Sequence, residues 1–398
     1  MSKLHSIKGN IQNYAWGGQK YIPNLLGIPS EDKPYAEYWL GAHVNAPAVL
    51  TSTNTDLNEF IDDNPKEKLG AAIASKFGRL PFLFKVLDVN DMLSIQVHPT
   101  KTEAEKGFAR ENKLGIPITA PNRNYKDDNH KPEIMVALSE FWLLHGFLAE
   151  AKLKEILTNT VELQGLISIF EKSGYQGLYQ AVMEESDEQT EKVLRPLVER
   201  VLPLYEAGKL DKTSADYWAA KAYKTFCQNG KLDKGIYSIY FFNIVKVNSG
   251  EAVFQDAGIP HAYMEGQNME LMANSDNVLR GGLTPKHVDV PELLKHVAFE
   301  ETHPNIMKGE LQADGLERIY KSQAPDFELS KIDLRTGDVY SHLSTTSEII
   351  IVLDGEVTMI ESNKKLRRAR GESVFIASDA EYKIKAASTA ILYKATAP

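Results

Sequence analysis

The apolar residues of this chain change their spacing twice, and that change limits the fold more than any other feature. From Ser6 to about Phe147 they come in runs of strand length, punctuated by Gly, Pro and Asn. Between about Leu148 and Gly230 they fall at helical spacing: Leu153, Ile156 and Leu157, then Leu194, Val198, Val201 and Tyr205, then Trp218, Ala222 and Phe226. Strand-length runs return after that. The pattern predicts a mainly β architecture with a helical insertion over residues 148–230. Pro196 and Pro203 are expected to limit the helices around them, and Ser214 or Thr213 is placed to cap the third group.

Within the β regions, residues 80–88 and 92–98 read as consecutive strands, with Val89, Asn90 and Asp91 as the turn. Residues 133–138, 236–245 and 252–254 read as further strands, 290–297 as a short helix, and 35–39 as either. Near the C-terminus, residues 347–353 and 356–360 flank Asp354-Gly355, a hairpin signal. Runs at 372–376 and 382–385 follow, and this spacing predicts a sandwich or jelly roll.

At 398 residues the chain has room for two or three domains. A net charge of −9 argues against nucleic acid or an anionic membrane as the main partner, though not against a small anion held by local cations. The single Cys227 cannot form an internal disulfide, which fits a reducing cytoplasm. The longest apolar run, residues 141–149, is broken by His145 and is too short to span a bilayer. Residues 1–5 lack the apolar core of a signal peptide. The expectation is a cytoplasmic protein, a monomer rather than an oligomer.

Four segments carry candidate chemistry. As a strand, 92–98 points Leu93, Ile95 and Val97 one way and Ser94, Gln96 and His98 the other. Gln96 and His98 can then reach one ion, although this strand taken alone reads first as a solvated polar face or a single hydrogen-bonded histidine. Next, Pro132 restricts Lys131 to an extended conformation and packs His130, Lys131 and Glu133 together, as a surface turn or with Glu133 projecting inward as a ligand. Third, Gly258 and Pro260 build a turn that presents His261, which alone is only a loop histidine. Gln96, His98, Glu133 and His261 together offer two imidazoles, a carboxylate and an amide. That set suits zinc with a position left for water or substrate, while the amide keeps manganese, cobalt and iron open. Fourth, Arg280 and Lys286 flank a Gly-Gly-Leu-Thr-Pro turn and suit a phosphate, with Glu270 and Asp276 as acids, bases or orienting groups. The bland alternative is a surface loop with an ordinary salt bridge.

These segments resemble type I mannose-6-phosphate isomerases, zinc enzymes of the cupin superfamily. The resemblance is carried by Gln12-Asn-Tyr-Ala-Trp-Gly17, Glu37-Tyr-Trp-Leu-Gly41, Ser94-Ile-Gln-Val-His-Pro99, residues 125–133, Gly258-Ile-Pro-His-Ala-Tyr263 and residues 270–286, in order over about the first 300 residues. It implies a catalytic cupin barrel from residues 1–147 and 231–300, the helical insertion, and a C-terminal cupin-like jelly roll from 301–398. In residues 340–398 only His342 offers an imidazole, so that barrel is expected to be metal-free.

The resemblance also implies one zinc per chain on Gln96, His98, Glu133 and His261. It implies a catalytic Arg280, with Lys131, Tyr263, Glu270, Asp276 and Lys286 in or beside the pocket and Trp16, Lys85 and Ser94 lining it. The implied reaction interconverts mannose 6-phosphate and fructose 6-phosphate by proton transfer through a cis-enediol(ate). Glu270 and Lys131 are both candidates for the base, and His130 or a water for ring opening. Lys85, Ser94 and Lys286 are candidates for the phosphate. An isomerase for another sugar phosphate, or a sugar-phosphate-binding cupin without activity, are the alternatives.

Overall fold

The computed structural model describes residues 2–227 and 229–398; Met1 and Gln228 lie outside it. Its centre is the 13-residue strand His261–Ala273. Gly266, at φ +123°, divides this strand; a Cβ there would lie 2.6 Å from the Glu140 carbonyl oxygen. A register irregularity falls just before it, between Tyr263 and Glu265. The first part of the strand pairs with Phe141–Phe147. The second pairs with Phe82–Val89 on one side and Glu133–Ala137 on the other. With Glu37–Gly41, Ala252–Gln255, Phe242–Val247 and shorter strands, these make a ten-stranded antiparallel sheet.

A nine-stranded sheet and a four-stranded sheet form the C-terminal barrel. The nine-stranded sheet includes the first strand of the chain, Leu4–Lys8, which pairs antiparallel with Ser373–Ile376. The two large sheets pack back to back through Phe82, Phe84, Val86, Ile134, Met269 and Leu271 on one side and Leu329, Ile349, Ile351, Phe375 and Tyr393 on the other. Burying each such side chain stabilises the fold by about 1.5–3 kcal/mol. Every residue of Phe82–Val89 is buried, because one face lines the pocket and the other packs on the second sheet. That explains the lack of polar–apolar alternation in this strand.

The helical insertion is present as Glu150–Asn159, Ile167–Glu184, Asp187–Glu206 and Ala215–Phe226. Ser214 caps the last of these, accepting from the Asp216 N–H. Val290–His296 is the expected short helix, and the ambiguous segment near residue 37 is the strand Glu37–Gly41. No helix among the described residues is long and apolar enough to cross a membrane.

Four local expectations fail for physical reasons. The helix Asp187–Glu206 runs through both Pro196 and Pro203. Both prolines are exposed, as are Lys192 and Glu199, so water can satisfy the carbonyls that lose their donors. Residues 236–241 lie in a helix, Gly235–Phe241, and only then does a strand begin. That helix is buried on every side, which removes the polar stripe that marks helical period. Of residues 92–98 only Gln96–Val97 is strand; it pairs with His261 and with Leu279–Arg280, not with Phe82–Val89. The Asp354-Gly355 turn is a corner between sheets. Glu348–Asp354 belongs to the nine-stranded sheet and Glu356–Glu361 to the four-stranded one.

Candidate metal centre and active site

Two imidazoles and a carboxylate meet inside the first barrel. His98 Nε2 lies 3.4 Å from Glu133 Oε1, and His261 Nε2 lies 3.4 Å from Glu133 Oε2. All three residues are buried, and their ligand atoms fall within 4.8 Å of one another. Each ring is oriented from behind: His98 Nδ1 is 2.9 Å from the Asn277 carbonyl oxygen and His261 Nδ1 is 2.9 Å from that of Ile259. A carbonyl oxygen only accepts, so Nδ1 carries the proton and donates in both rings. Nε2 is then a lone-pair donor, and neither Nε2 has a hydrogen-bond partner among the described residues. Burial pulls the His98 pKa down to about 4, which keeps that ring neutral. The separation of 3.4 Å is what two bonds of about 2.1 Å require at a tetrahedral angle. The donor set therefore fits a divalent metal ion. Gln96 is His261's register partner and lines the same pocket.

Around this centre sit Glu37, Lys85, Leu87, Leu93, Lys131, Tyr263 and Glu270. Leu93, expected to face the core with Ile95 and Val97, lines the pocket instead because its segment is irregular. Lys131 Nζ is 3.1 Å from Glu133 Oε1. Lys85 Nζ donates to Glu270 Oε2 at 2.9 Å and lies 3.4 Å from Glu37 Oε2. Burial opposes a charged amine, but Glu270 and Glu37 outweigh it and hold Lys85 protonated. With two carboxylates beside it, Lys85 has no surplus charge for a phosphate. Burial, with Glu133 and Glu37 against a partial offset from Lys85, pushes the Glu270 carboxyl above its usual range. Burial and the Glu270 and Glu133 charges raise the Tyr263 phenol far above its ordinary value. Trp16 packs on the apolar cluster of the barrel that contains Tyr263 and Leu93.

Arg280 comes in on the two-residue strand opposite Gln96. Burial lowers its pKa, and no carboxylate among the described residues compensates its charge. Lys286 stands at the exposed rim and feels Arg280 and Lys126 as like charges. Arg280, Lys126 and Lys286 are therefore close enough to act on one another as like charges. Asp276 Oδ1 is 3.4 Å from His43 Nε2. Burial works to raise the Asp276 carboxyl, but His43, Lys131 and Lys126 hold it down to about 2. Ser94 is half-buried in the irregular segment before Gln96.

His130 is the sequence-derived candidate that faces away. Its Nε2 lies 2.7 Å from Asp326 Oδ2, a buried carboxylate in the loop between the strands Glu317–Tyr320 and Glu328–Leu334 of the nine-stranded sheet. Along an extended segment, neighbours alternate in direction, so Lys131 and Glu133 share one side and His130 takes the other.

Sequence reasoning missed Glu37, Trp39, His43 and Asn277. Asn277 is a local organiser: its side chain accepts from the Lys126 N–H at 2.7 Å and donates to the Asp127 and Asn129 carbonyls, while its own carbonyl holds His98. Glu37, Trp39 and Asn277 fall within segments that carry the resemblance, but nothing in their type announced a role. A wider cleft, lined by Gly17, Gly18, Tyr21, Asp88 and Gln267, lies on the outer face of Phe82–Val89. There Asp88 accepts from Gln267 and from the Tyr21 backbone, and no group of metal-ligating side chains converges among the described residues.

A buried His-Glu-His group that could hold a metal ion, in an antiparallel barrel joined to a second barrel with no such group among the described residues, defines a protein of the cupin class. Residues 4–149 match the family model for phosphomannose isomerase type I, catalytic domain. Mannose-6-phosphate isomerase of Salmonella typhimurium is 35% identical over 384 residues, 94% of this chain and 95% of the relative. The Escherichia coli enzyme of that name is 35% identical over 385 residues, with the same coverage. Among solved structures, a zinc-bound mannose 6-phosphate isomerase superposes with a TM-score of 0.89 at 32% identity, covering all of both chains. One from Salmonella typhimurium bound to fructose 6-phosphate and zinc superposes equally well, at 32% identity over all of both chains. The chain belongs to the type I phosphomannose isomerase family.

Proposed function

We propose that this protein is a zinc-dependent aldose–ketose isomerase that interconverts mannose 6-phosphate and fructose 6-phosphate. The observation that carries the reading is the pair of buried, unpartnered Nε2 atoms, each 3.4 Å from a different oxygen of Glu133, in a pocket that also holds Glu270. Family membership supplies the substrate, since a relative of the same fold is bound to fructose 6-phosphate and zinc. His98, Glu133, His261 and Gln96 would hold the ion. Zinc bound there supplies a Lewis acid for the sugar oxygens.

The chain's own residues do the rest. Glu270, with its raised pKa, exchanges a proton between C2 and C1; Lys131 is the second candidate, already paired with Glu133. Arg280, uncompensated, faces the negative charge that develops on the cis-enediol(ate). Lys286 and Ser94 take the phosphate at the electropositive rim. Tyr263 and Trp16 wall the pocket, Lys85 lines it beside Glu270, and Asp276 offsets charge beside Lys131. With His130 bonded to Asp326, ring opening falls to water. On this reading residues 1–147 and 231–300 form the catalytic unit, apart from the strand Leu4–Lys8, which completes the second barrel, with 148–230 the insertion and 301–398 the rest of the second barrel. The protein works in the cytoplasm as a monomer.

The test is a coupled assay of mannose 6-phosphate conversion, run as purified, with chelator, and with zinc restored. Activity that disappears with chelator and returns with zinc is expected. No conversion by the zinc-replete protein overturns the reading.

A further inference from the structure

One buried carboxylate of the pocket has no task in the mechanism above. Glu37 is 7% exposed and sits on the strand Glu37–Gly41, next to the strand that carries Lys85. Trp39 is the register partner of Lys85, and Glu37 lies two residues away on the same face. The Trp39 indole N–H donates to Glu37 Oε2, and the same oxygen is 3.4 Å from Lys85 Nζ. Lys85 also stands 5.2 Å from the Trp39 ring centroid, within cation–π range. The strand ladder, the indole and the carboxylate together brace one ammonium.

The bracing matters because of what lies on the amine's other contact. Lys85 donates to Glu270 at 2.9 Å. A lysine ammonium is a point charge on a four-carbon stem, and one carboxylate does not fix its direction. A buried ammonium with a single carboxylate partner can also lose its charge by passing a proton across. A second carboxylate removes both freedoms.

We infer that Glu37 is a positioning residue: with Trp39 as its own support, it holds the Lys85 ammonium in place beside Glu270, leaving the remaining N–H of Lys85 for the sugar. Glu37 touches neither substrate nor the ligand set in this scheme and acts through Lys85. The inference rests on the isomerase reading.

The experiment compares zinc-replete wild type with E37Q, E37D and W39F by steady-state kinetics and thermal unfolding. E37Q keeps the shape and an acceptor for the indole and removes only the charge. W39F keeps the charge and the ring face and removes the donor. The expected result is a kcat about tenfold or more lower in E37Q, with KM moving less than about threefold. W39F should lose far less, and E37D should recover part of the loss because it keeps the carboxylate. Equal losses in E37Q and W39F, or in E37Q and E37D, would mean a merely structural role and overturn the inference. So would an E37Q within about twofold of wild-type kcat. An inactive wild type overturns the isomerase reading itself, a separate failure.

Discussion

At the scale of single residues, the site is a problem of buried charge. Three carboxylates, Glu37, Glu133 and Glu270, share the pocket with two ammoniums, Lys85 and Lys131. Each ammonium is within 3.4 Å of a carboxylate oxygen. Arg280 stands outside this exchange: burial lowers its pKa, and no carboxylate among the described residues pairs with it. Removing it breaks no ion pair, so the fold should survive while transition-state stabilisation is lost. Arg280→Ala is expected to lower kcat by about a hundredfold to a thousandfold, the range seen when one preorganised donor is deleted. Zinc content measured on the same sample should be unchanged. Near-normal turnover would remove Arg280 from the mechanism.

At the scale of elements, two connections hold the frame. Gly355 makes the corner where the chain leaves one sheet of the second barrel for the other. Its φ is +81°, and a Cβ there would lie 2.1 Å from the Thr389 carbonyl oxygen. Gly355→Ala must either strain or displace that contact, and about 1–3 kcal/mol of stability should be lost in denaturant unfolding. A neutral result would mean that the corner relaxes freely. The second connection is Glu292 on the helix Val290–His296. It accepts from Arg110, Tyr125 and Lys295, tying that helix to Lys101–Lys113 and to the loop before Lys131. Burial opposes the charge, but these three partners bring the Glu292 pKa down to about 2. An unfolded glutamate titrates near pH ~4.3, so the folded state binds this proton less readily. The stabilisation is complete above that pH and is lost as pH falls towards 2. Tm measured against pH should show wild type above Glu292→Gln at pH 7, with the gap closing in acid. A gap that stays constant down to pH 2 would rule out the linkage.

At the scale of the whole molecule, the chain closes on itself. The strand Leu4–Lys8 enters the C-terminal sheet, and His130 reaches Asp326 between the barrels. The metal centre draws on three separate segments, at His98, Glu133 and His261. An ion held there binds the folded state only. Zinc at about 100 times its Kd should therefore add about 2.7 kcal/mol of stability. Thermal unfolding with and without zinc should show an upward shift in wild type that is absent in His261→Ala. No shift in wild type would argue against a resident ion at this centre.

The sequence alone determined the elements whose signal is local. Helical spacing marked the insertion, and Gly258 with Pro260 marked the turn before His261. His98, Glu133 and His261 were legible because imidazoles and a carboxylate beside rigid turns carry recognisable chemistry at each position. The tertiary structure decided whatever depended on a partner far along the chain. Residues 236–241 became helix because they are enclosed on all sides, and the Asp354-Gly355 turn became a corner because its two strands found different neighbours. Glu37 gained its place only when the strand ladder set it beside Lys85, and His130 lost its expected place when Asp326 took its ring nitrogen. Residue type sets which interactions a group can make; long-range packing sets which of them it makes.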